Sequence, residues 1–213
     1  MDFYSSILIP LVIFTPLFYL NWNRVDKAVD ESLFSRFLLF GILLGIVYSV
    51  LFLYAFYTVF RYEDLTLFAT LIFLPLLAGV EQLSILSGKY RTRRDLIQLS
   101  TSLGGAFSLP VTFGIALVTS ASNLNYLFIA LITVLSFVSN IMSGVLLAIG
   151  VSSNRIFLYY NYAFLVQMLF SSSIFFEYLF GSYSIFLILP ESVLAVLLYI
   201  GIFNRRLIRV END

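Results

Sequence analysis

The chain has 213 residues, of which 61% are hydrophobic, 18% aromatic and 11% charged; twelve Lys and Arg balance twelve Asp and Glu, and the mean hydropathy is +0.99. A soluble domain carries about a quarter charged residues, so this composition belongs to an integral protein of the cell membrane, an all-α, polytopic transmembrane helical bundle built as a single domain over residues 1–213. The absence of cysteine and histidine removes disulfides, thiolate nucleophiles, iron–sulfur ligation, Ser-His catalysis and the usual zinc sites, and a net charge of zero leaves no electrostatic case for nucleic acid.

Residues 3–22 form an uncharged run long enough, at about 1.5 Å per residue, to span a hydrocarbon core of about 30 Å. Asp2 stands where a secretory signal carries positive charge, and no small-residue cleavage site follows. Pro10 and Pro16 kink such a helix, which is tolerated in a membrane when neighbours re-satisfy the freed carbonyls; a spanning helix is preferred to one lying in the interface. Residues 21–35, with Arg24, Asp26, Lys27, Asp30 and Glu31, read as a partly helical, water-facing linker. The run 37–60 is the next crossing. Its Gly41, Gly45 and Ser49 make a small-residue stripe that lets another helix approach closely, within the chain in preference to a dimer face. Residues 61–64 are a tight polar turn.

Residues 65–86 cross back, with Pro75 near the centre and Glu81 eight residues before Lys89, about 12 Å along a helix. An ionised carboxylate at that depth is costly, so Glu81 is expected to face protein or a water-filled cleft, paired with a cation of the cluster that follows or carrying a proton. The stretch 87–95, Ser-Gly-Lys-Tyr-Arg-Thr-Arg-Arg-Asp, then packs Lys89, Arg91, Arg93 and Arg94 into six residues. Such a loop stays on the cytoplasmic side and orients everything flanking it.

Residues 96–119 cross outward as a poor helix, because Ser100, Thr101, Ser102, Gly104, Gly105, Ser108 and Pro110 concentrate breakers and hydroxyls. The expectation is irregular backbone, either buried in protein or lining an aqueous path. Residues 124–151 return with Ser136, Asn140, Ser143 and Gly144 on one helical face, suited to packing against other helices. After a short turn at 152–155, residues 156–176 cross again, with Tyr159, Tyr160 and Tyr162 at the interface and Gln167 and the Ser171–Ser173 triplet as polar features. In the last apolar region Pro190-Glu191 interrupts the run. Either one helix covers 184–203 with Glu191 buried, or residues 175–189 form a re-entrant or interfacial hairpin and the crossing starts near Pro190. The second is preferred, since Pro followed by an acid suits a first helical turn.

With the central loop inside, alternation puts Arg24, Lys27, Arg36, Lys89, Arg91, Arg93, Arg94, Arg155, Arg205, Arg206 and Arg209 in the cytoplasm, eleven of the twelve basic residues, and leaves Arg61 outside. This asymmetry favours seven membrane segments with the amino terminus out and the carboxyl terminus in. Six crossings with both termini inside give the same charge map if residues 3–22 lie in the interface.

Taken together, a Glu at the inner end of one helix, a short polar stretch, a basic cluster and a helix rich in breakers (Gly79 to Ile97) resemble the cytoplasmic coupling region of the type-two ATP-binding-cassette (ABC) transporter permeases, which export polysaccharides, lipids and drugs. The likeness covers roughly residues 32–209 and is one of hydropathy and charge; the outer hairpin is shorter than in that family, and an apolar run replaces its amphipathic first helix. It implies a permease subunit whose ATPase-coupling loop comprises Glu81, Lys89, Tyr90, Arg91, Arg93, Arg94 and Asp95. A separate cytoplasmic ATP-binding subunit would dock there, since the chain has no Gly-x-x-x-x-Gly-Lys-Ser/Thr loop, and a second copy or a relative would complete the path through the lipid bilayer. No residue would be catalytic, and no cofactor or metal is called for. Two readings compete with it. In an ATP-independent channel or ion-coupled carrier, Glu81 and Glu191 are the ionisable centres of a polar pathway that includes Ser100, Thr101, Asn140 and Gln167. In the other, the chain is a structural subunit of a larger membrane assembly.

Overall fold

The computed structural model describes residues 3–23, 29–59, 72–88, 90, 95–120 and 126–200. Among them are seven α-helices and no strand: α1 (Phe3–Trp22), α2 (Glu31–Val59), α3 (Leu74–Leu86), α4 (Leu96–Ser120), α5 (Tyr126–Ser152), α6 (Ile156–Phe180) and α7 (Ile185–Leu198), with a 3₁₀ turn at Gly181–Ser184 before α7. Three stretches, Glu31–Tyr54, Leu96–Leu117 and Tyr126–Ser152, are long and apolar enough to cross a membrane, as a membrane protein requires.

Local chemistry explains the helix ends. α2 starts at Glu31, six residues before the apolar run it carries, because Asp30 caps it: its Oδ1 accepts hydrogen bonds from the backbone N–H of Ser32 (2.9 Å) and of Leu33 (3.4 Å). The short turn after α5 closes with Asn154 at φ 56°, while Arg155 N–H donates to the Gly150 carbonyl and Asn154 N–H to that of Val151. This is the left-handed cap that satisfies the last carbonyls of a helix.

Two apolar clusters fix the direction of each helix. One gathers Phe34 and Phe37 from the start of α2, Leu86 from the end of α3, Leu96 and Leu99 from the start of α4, Val151 from the end of α5 and Ile156 from the start of α6. The other joins Phe52 late in α2, Leu74 at the start of α3, Ile115 late in α4, Phe128 at the start of α5, Ile174 late in α6 and Ile188 early in α7. Tyr199, just past α7, donates its hydroxyl to Asn21 Oδ1 at the end of α1 (3.0 Å). Successive helices therefore alternate in direction, and the described residues flanking 24–28, 87–95 and 153–155 share one end of the bundle.

α4 is the central helix. Of its apolar window 89% is buried inside the protein, against 33% for α2. Gly41 and Gly45 bring α2 backbone-to-backbone onto it: a Cβ at Gly41 would press on the Leu103 carbonyl and one at Gly45 would lie 2.5 Å from the Phe107 carbonyl. Ser49, one turn on, meets Gly114. The small-residue stripe is thus consumed within the chain. On the other side of α4, Gly104 lies against the Asn140 carbonyl of α5, and a Cβ at Gly144 would come 2.9 Å from the Ser100 carbonyl.

Two expectations are corrected. Residues 96–120 form one continuous helix through Gly104, Gly105 and Pro110, because its hydroxyls bond within the helix: Ser100 to the Ile97 carbonyl, Thr101 to Gln98, Ser108 to Gly105 and Thr112 to Ser108, at 2.6 to 2.8 Å, while the glycines are spent on close packing. Pro190 does not begin a helix either. It is the sixth residue of α7, and the connection after α6 is only the Gly181–Ser184 turn, in place of a hairpin over 175–189. The fully buried Ile188 packs the turn ahead of the proline into the bundle, and a proline inside a membrane helix is tolerated where neighbours re-satisfy the carbonyl it frees.

Candidate functional site

The most polar part of the interior is a knot of amides joining three helices. Asn140 on α5 accepts at its Oδ1 from Gln167 Nε2 on α6 (2.9 Å) and from Gln82 Nε2 on α3 (3.3 Å). Its own Nδ2 donates to the Ser136 carbonyl one turn below (2.8 Å) and to Ser136 Oγ (3.3 Å). Gln82, Asn140, Gln167 and Ser136 are all buried. A side chain of this kind in an apolar bundle fixes which helices meet and at what register, since each amide left alone would strand buried donors. The knot is incomplete: Gln82 Oε1, beside Gly144, and Ser143 Oγ have no hydrogen-bond partner.

The carboxylates lie apart from the knot and from each other. Glu81 on α3 has one oxygen, Oε2, buried without a partner, and the hydroxyl of the buried Tyr48 of α2 lies beside Ser171 of α6. Glu191 on α7 accepts at Oε2 from Ser173 Oγ (2.6 Å), while its Oε1 is buried and unpartnered. Comparison with protein-family models, with curated proteins and with solved structures finds no match. The chemistry of the site therefore has to be argued from these residues alone.

Of the residues assigned to the coupling loop, Lys89, Arg91, Arg93 and Arg94 lie outside the described residues, and with them the expected pairing of Glu81 with that cluster. Tyr90 stacks edge-on against Phe37 at the base of α2, with ring centroids 4.9 Å apart, which ties the connection to the bundle. Asp95 precedes α4, and its carbonyl accepts from Leu99 N–H (2.9 Å). Among the polar pathway residues, Asn140 and Gln167 are brought into direct contact, whereas Ser100 and Thr101 turn their hydroxyls to their own helix and Glu191 bonds elsewhere. Two participants escaped the reading of the sequence: Gln82, overshadowed by its charged neighbour Glu81, and Tyr48, one more aromatic in a chain with fourteen tyrosines. The signal for Gln82 was an uncharged amide in the interior of an apolar run, where a polar group needs a partner. Tyr48 carried no such signal.

Proposed function

We propose that the chain is the membrane-spanning permease subunit of an ABC-type exporter, crossing the cell membrane six or seven times with its carboxyl terminus in the cytoplasm and driven by a separate cytoplasmic ATP-binding subunit. The observation that carries the reading is the joint between α3 and α4. The basic stretch 87–95 links the end of the short α3 directly to the start of α4, the most buried helix, with Tyr90 seated on α2. A partner gripping that stretch pushes on the centre of the bundle through α4 and on the amide knot through α3, which is the leverage a rigid-body switch between inward and outward access needs. The alternation of the helices supports the orientation, as does the charge asymmetry of the sequence, in which that alternation assigns eleven of the twelve basic residues to the cytoplasmic side. The broad apolar faces, such as Leu39, Leu43, Ile46 and Val50 on α2, suit lipid and a second copy or a relative.

The reading is tested with Arg93→Gln and Arg94→Gln, which keep most of the topogenic charge. The expected result is an inserted, folded chain that co-purifies poorly with its ATPase and stimulates less ATP turnover. Transport retained in vesicles depleted of ATP would overturn it. That result would favour the ATP-independent carrier, for which Glu81 and Glu191, two acids with no cation beside them among the described residues, are the specific support.

A further inference from the structure

We propose that the flank of α1 turned toward α2 holds one anionic phospholipid, with an acyl chain laid along Phe14 and Phe18 and the phosphate at Tyr19, Trp22 and Asn23. A groove of about 450 Å³ lies there, lined by Phe14, Thr15, Phe18, Tyr19, Trp22 and Asn23. Its back is fixed. Phe14 stacks on Phe18 and meets Phe137 of α5 edge-on, both with ring centroids 5.5 Å apart, and Trp22 closes the far end against Phe34 of α2 at 4.5 Å. Its front is open: Tyr19 is 63% exposed and Trp22 42%. Before that closure α1 and α2 pack on α4 and hardly on each other, so the seam between them is left to the bilayer. The Thr15 hydroxyl is returned to the Leu11 carbonyl (2.8 Å), which keeps the lining apolar as far as Tyr19.

Size and polarity decide the occupant. Phe14 to Asn23 is about 14 Å along a helix, and a partner helix of about 10 Å diameter over that length would occupy about 1,100 Å³, more than twice the space of the groove. A volume of this order suits a small-molecule ligand, and in a membrane a hydrocarbon chain is the one at hand. The lining changes along its length. Phe14 and Phe18 are wholly apolar, whereas Tyr19, Trp22 and Asn23 end in O–H, N–H and amide donors, and none of these three side chains hydrogen-bonds elsewhere among the described residues. Tyrosine and tryptophan at the end of a membrane helix sit at headgroup level, where the charged oxygens of a phosphate take such donors most strongly. Charge then selects among phospholipids. The alternation of the helices assigns eleven basic residues to this end of the bundle against six acids, Asp26, Asp30, Glu31, Asp95, Glu211 and Asp213, and such an excess at a membrane surface favours an anionic headgroup.

The site reports on itself, because Trp22 is the sole tryptophan of the chain. The full chain is reconstituted in phosphatidylcholine vesicles that receive either phosphatidylglycerol or phosphatidylcholine brominated on the acyl chains, and quenching of Trp22 fluorescence is followed against mole fraction. Brominated phosphatidylglycerol should reach half-maximal quenching at about one-fifth the mole fraction of brominated phosphatidylcholine, the preference that one nearby basic residue supplies, and high salt should narrow the gap. Thr15→Phe, whose ring fills the groove from its rim, should bring the two lipids to parity, and Tyr19→Phe with Asn23→Leu, which removes two donors, should bring them toward it. Leu8→Phe, exposed on α1 outside the groove, should keep the wild-type ratio. Equal quenching by the two lipids in the wild type would mean bulk lipid at the groove, an unquenched Trp22 would mean a protein cover such as a second copy, and a wild-type ratio in both groove variants would place the lipid elsewhere; each overturns the proposal. The wild-type ratio decides if a variant does not fold. Both leaflets carry the same lipid and no nucleotide is present, so failure sinks this site and leaves the permease reading standing.

Discussion

Replacing Asn140 by Leu, which is close to it in size, removes the acceptor that ties α3 and α6 to α5. The cost can be worked from the two bonds lost. Hydrogen bonds between side chains of membrane helices average about 0.6 kcal/mol and reach about 1.7 kcal/mol. The bond from Gln167, at 2.9 Å between two buried residues, belongs near the upper value; that from Gln82, at 3.3 Å, belongs near the average. Asn140→Leu should therefore destabilise the bundle by about 2 kcal/mol, about a 30-fold shift in the unfolding equilibrium. The sharper measurement is a double-mutant cycle. Replacing both partners of a buried hydrogen bond by apolar groups is nearly neutral, so Asn140→Leu and Gln167→Leu together should cost less than their sum by about 1.5 kcal/mol, and Asn140→Leu with Gln82→Leu less by about 0.5 kcal/mol. Equilibrium unfolding in mixed micelles, with sodium dodecyl sulfate as denaturant, reads these differences. Additivity of the 140/167 pair, within about 0.3–0.5 kcal/mol, would refute the knot.

Gly45→Ala places a Cβ 2.5 Å from the Phe107 carbonyl, so α2 and α4 must separate, at a cost of about 1–3 kcal/mol in the same unfolding assay; Leu43→Ala, half exposed on the outer face of α2, should cost about 0.5 kcal/mol or less, and equal effects would remove the α2–α4 contact from the account. Orientation is tested by single cysteines introduced into a chain that has none: those at Ser87 and Asn204 should be shielded from an impermeant thiol reagent in intact cells and one at Glu63 should react, while labelling of Ser87 from outside would invert the bundle.

Legibility in the sequence followed the range of the interaction. Hydropathy located six of the described helices because burial of apolar surface is a property of the segment itself, and the boundaries at 96 and 156 fell where polar turns adjoin apolar runs. The start of α2 was placed late because the deciding event, Asp30 capping Ser32 and Leu33, lies outside the apolar run. Pro190 was misjudged because its tolerance depends on Ile188 finding a core 50 or more residues away in sequence, contributed by Phe128, Ile129 and Ile132. The breakers of α4 misled for the same reason: glycine weakens an isolated helix but permits the contacts with Leu103 and Asn140 that make α4 central. Asn140 and Gln167 were visible as polar residues in apolar helices. That they bond each other, with Gln82 as the third member, required the fold.

The distribution of unsatisfied polar atoms says where this bundle can change. The buried side-chain atoms without a hydrogen-bond partner, among the described residues, belong to Asn21 on α1, Glu81 and Gln82 on α3, Ser143 on α5, Ser171 on α6, and Glu191 and Ser192 on α7. None is on α2 or α4. Those two helices are joined by glycine-mediated backbone contact, and the hydroxyls of Ser49, Ser100, Thr101, Ser108 and Thr112 bond within their own helices, while Ser102 of α4 donates to the Phe34 carbonyl of α2 (3.1 Å). Any displacement of α2 against α4 would break contacts already made and satisfy nothing new. α3 is the reverse case: a 13-residue helix held to α5 by one long hydrogen bond, with two unmet acceptors on consecutive residues that a ligand, a water molecule or a different helix position would satisfy. Since unmet buried groups cost free energy that any such arrangement recovers, a displacement of α3 against the α2–α4 pair would cost less than a displacement within that pair.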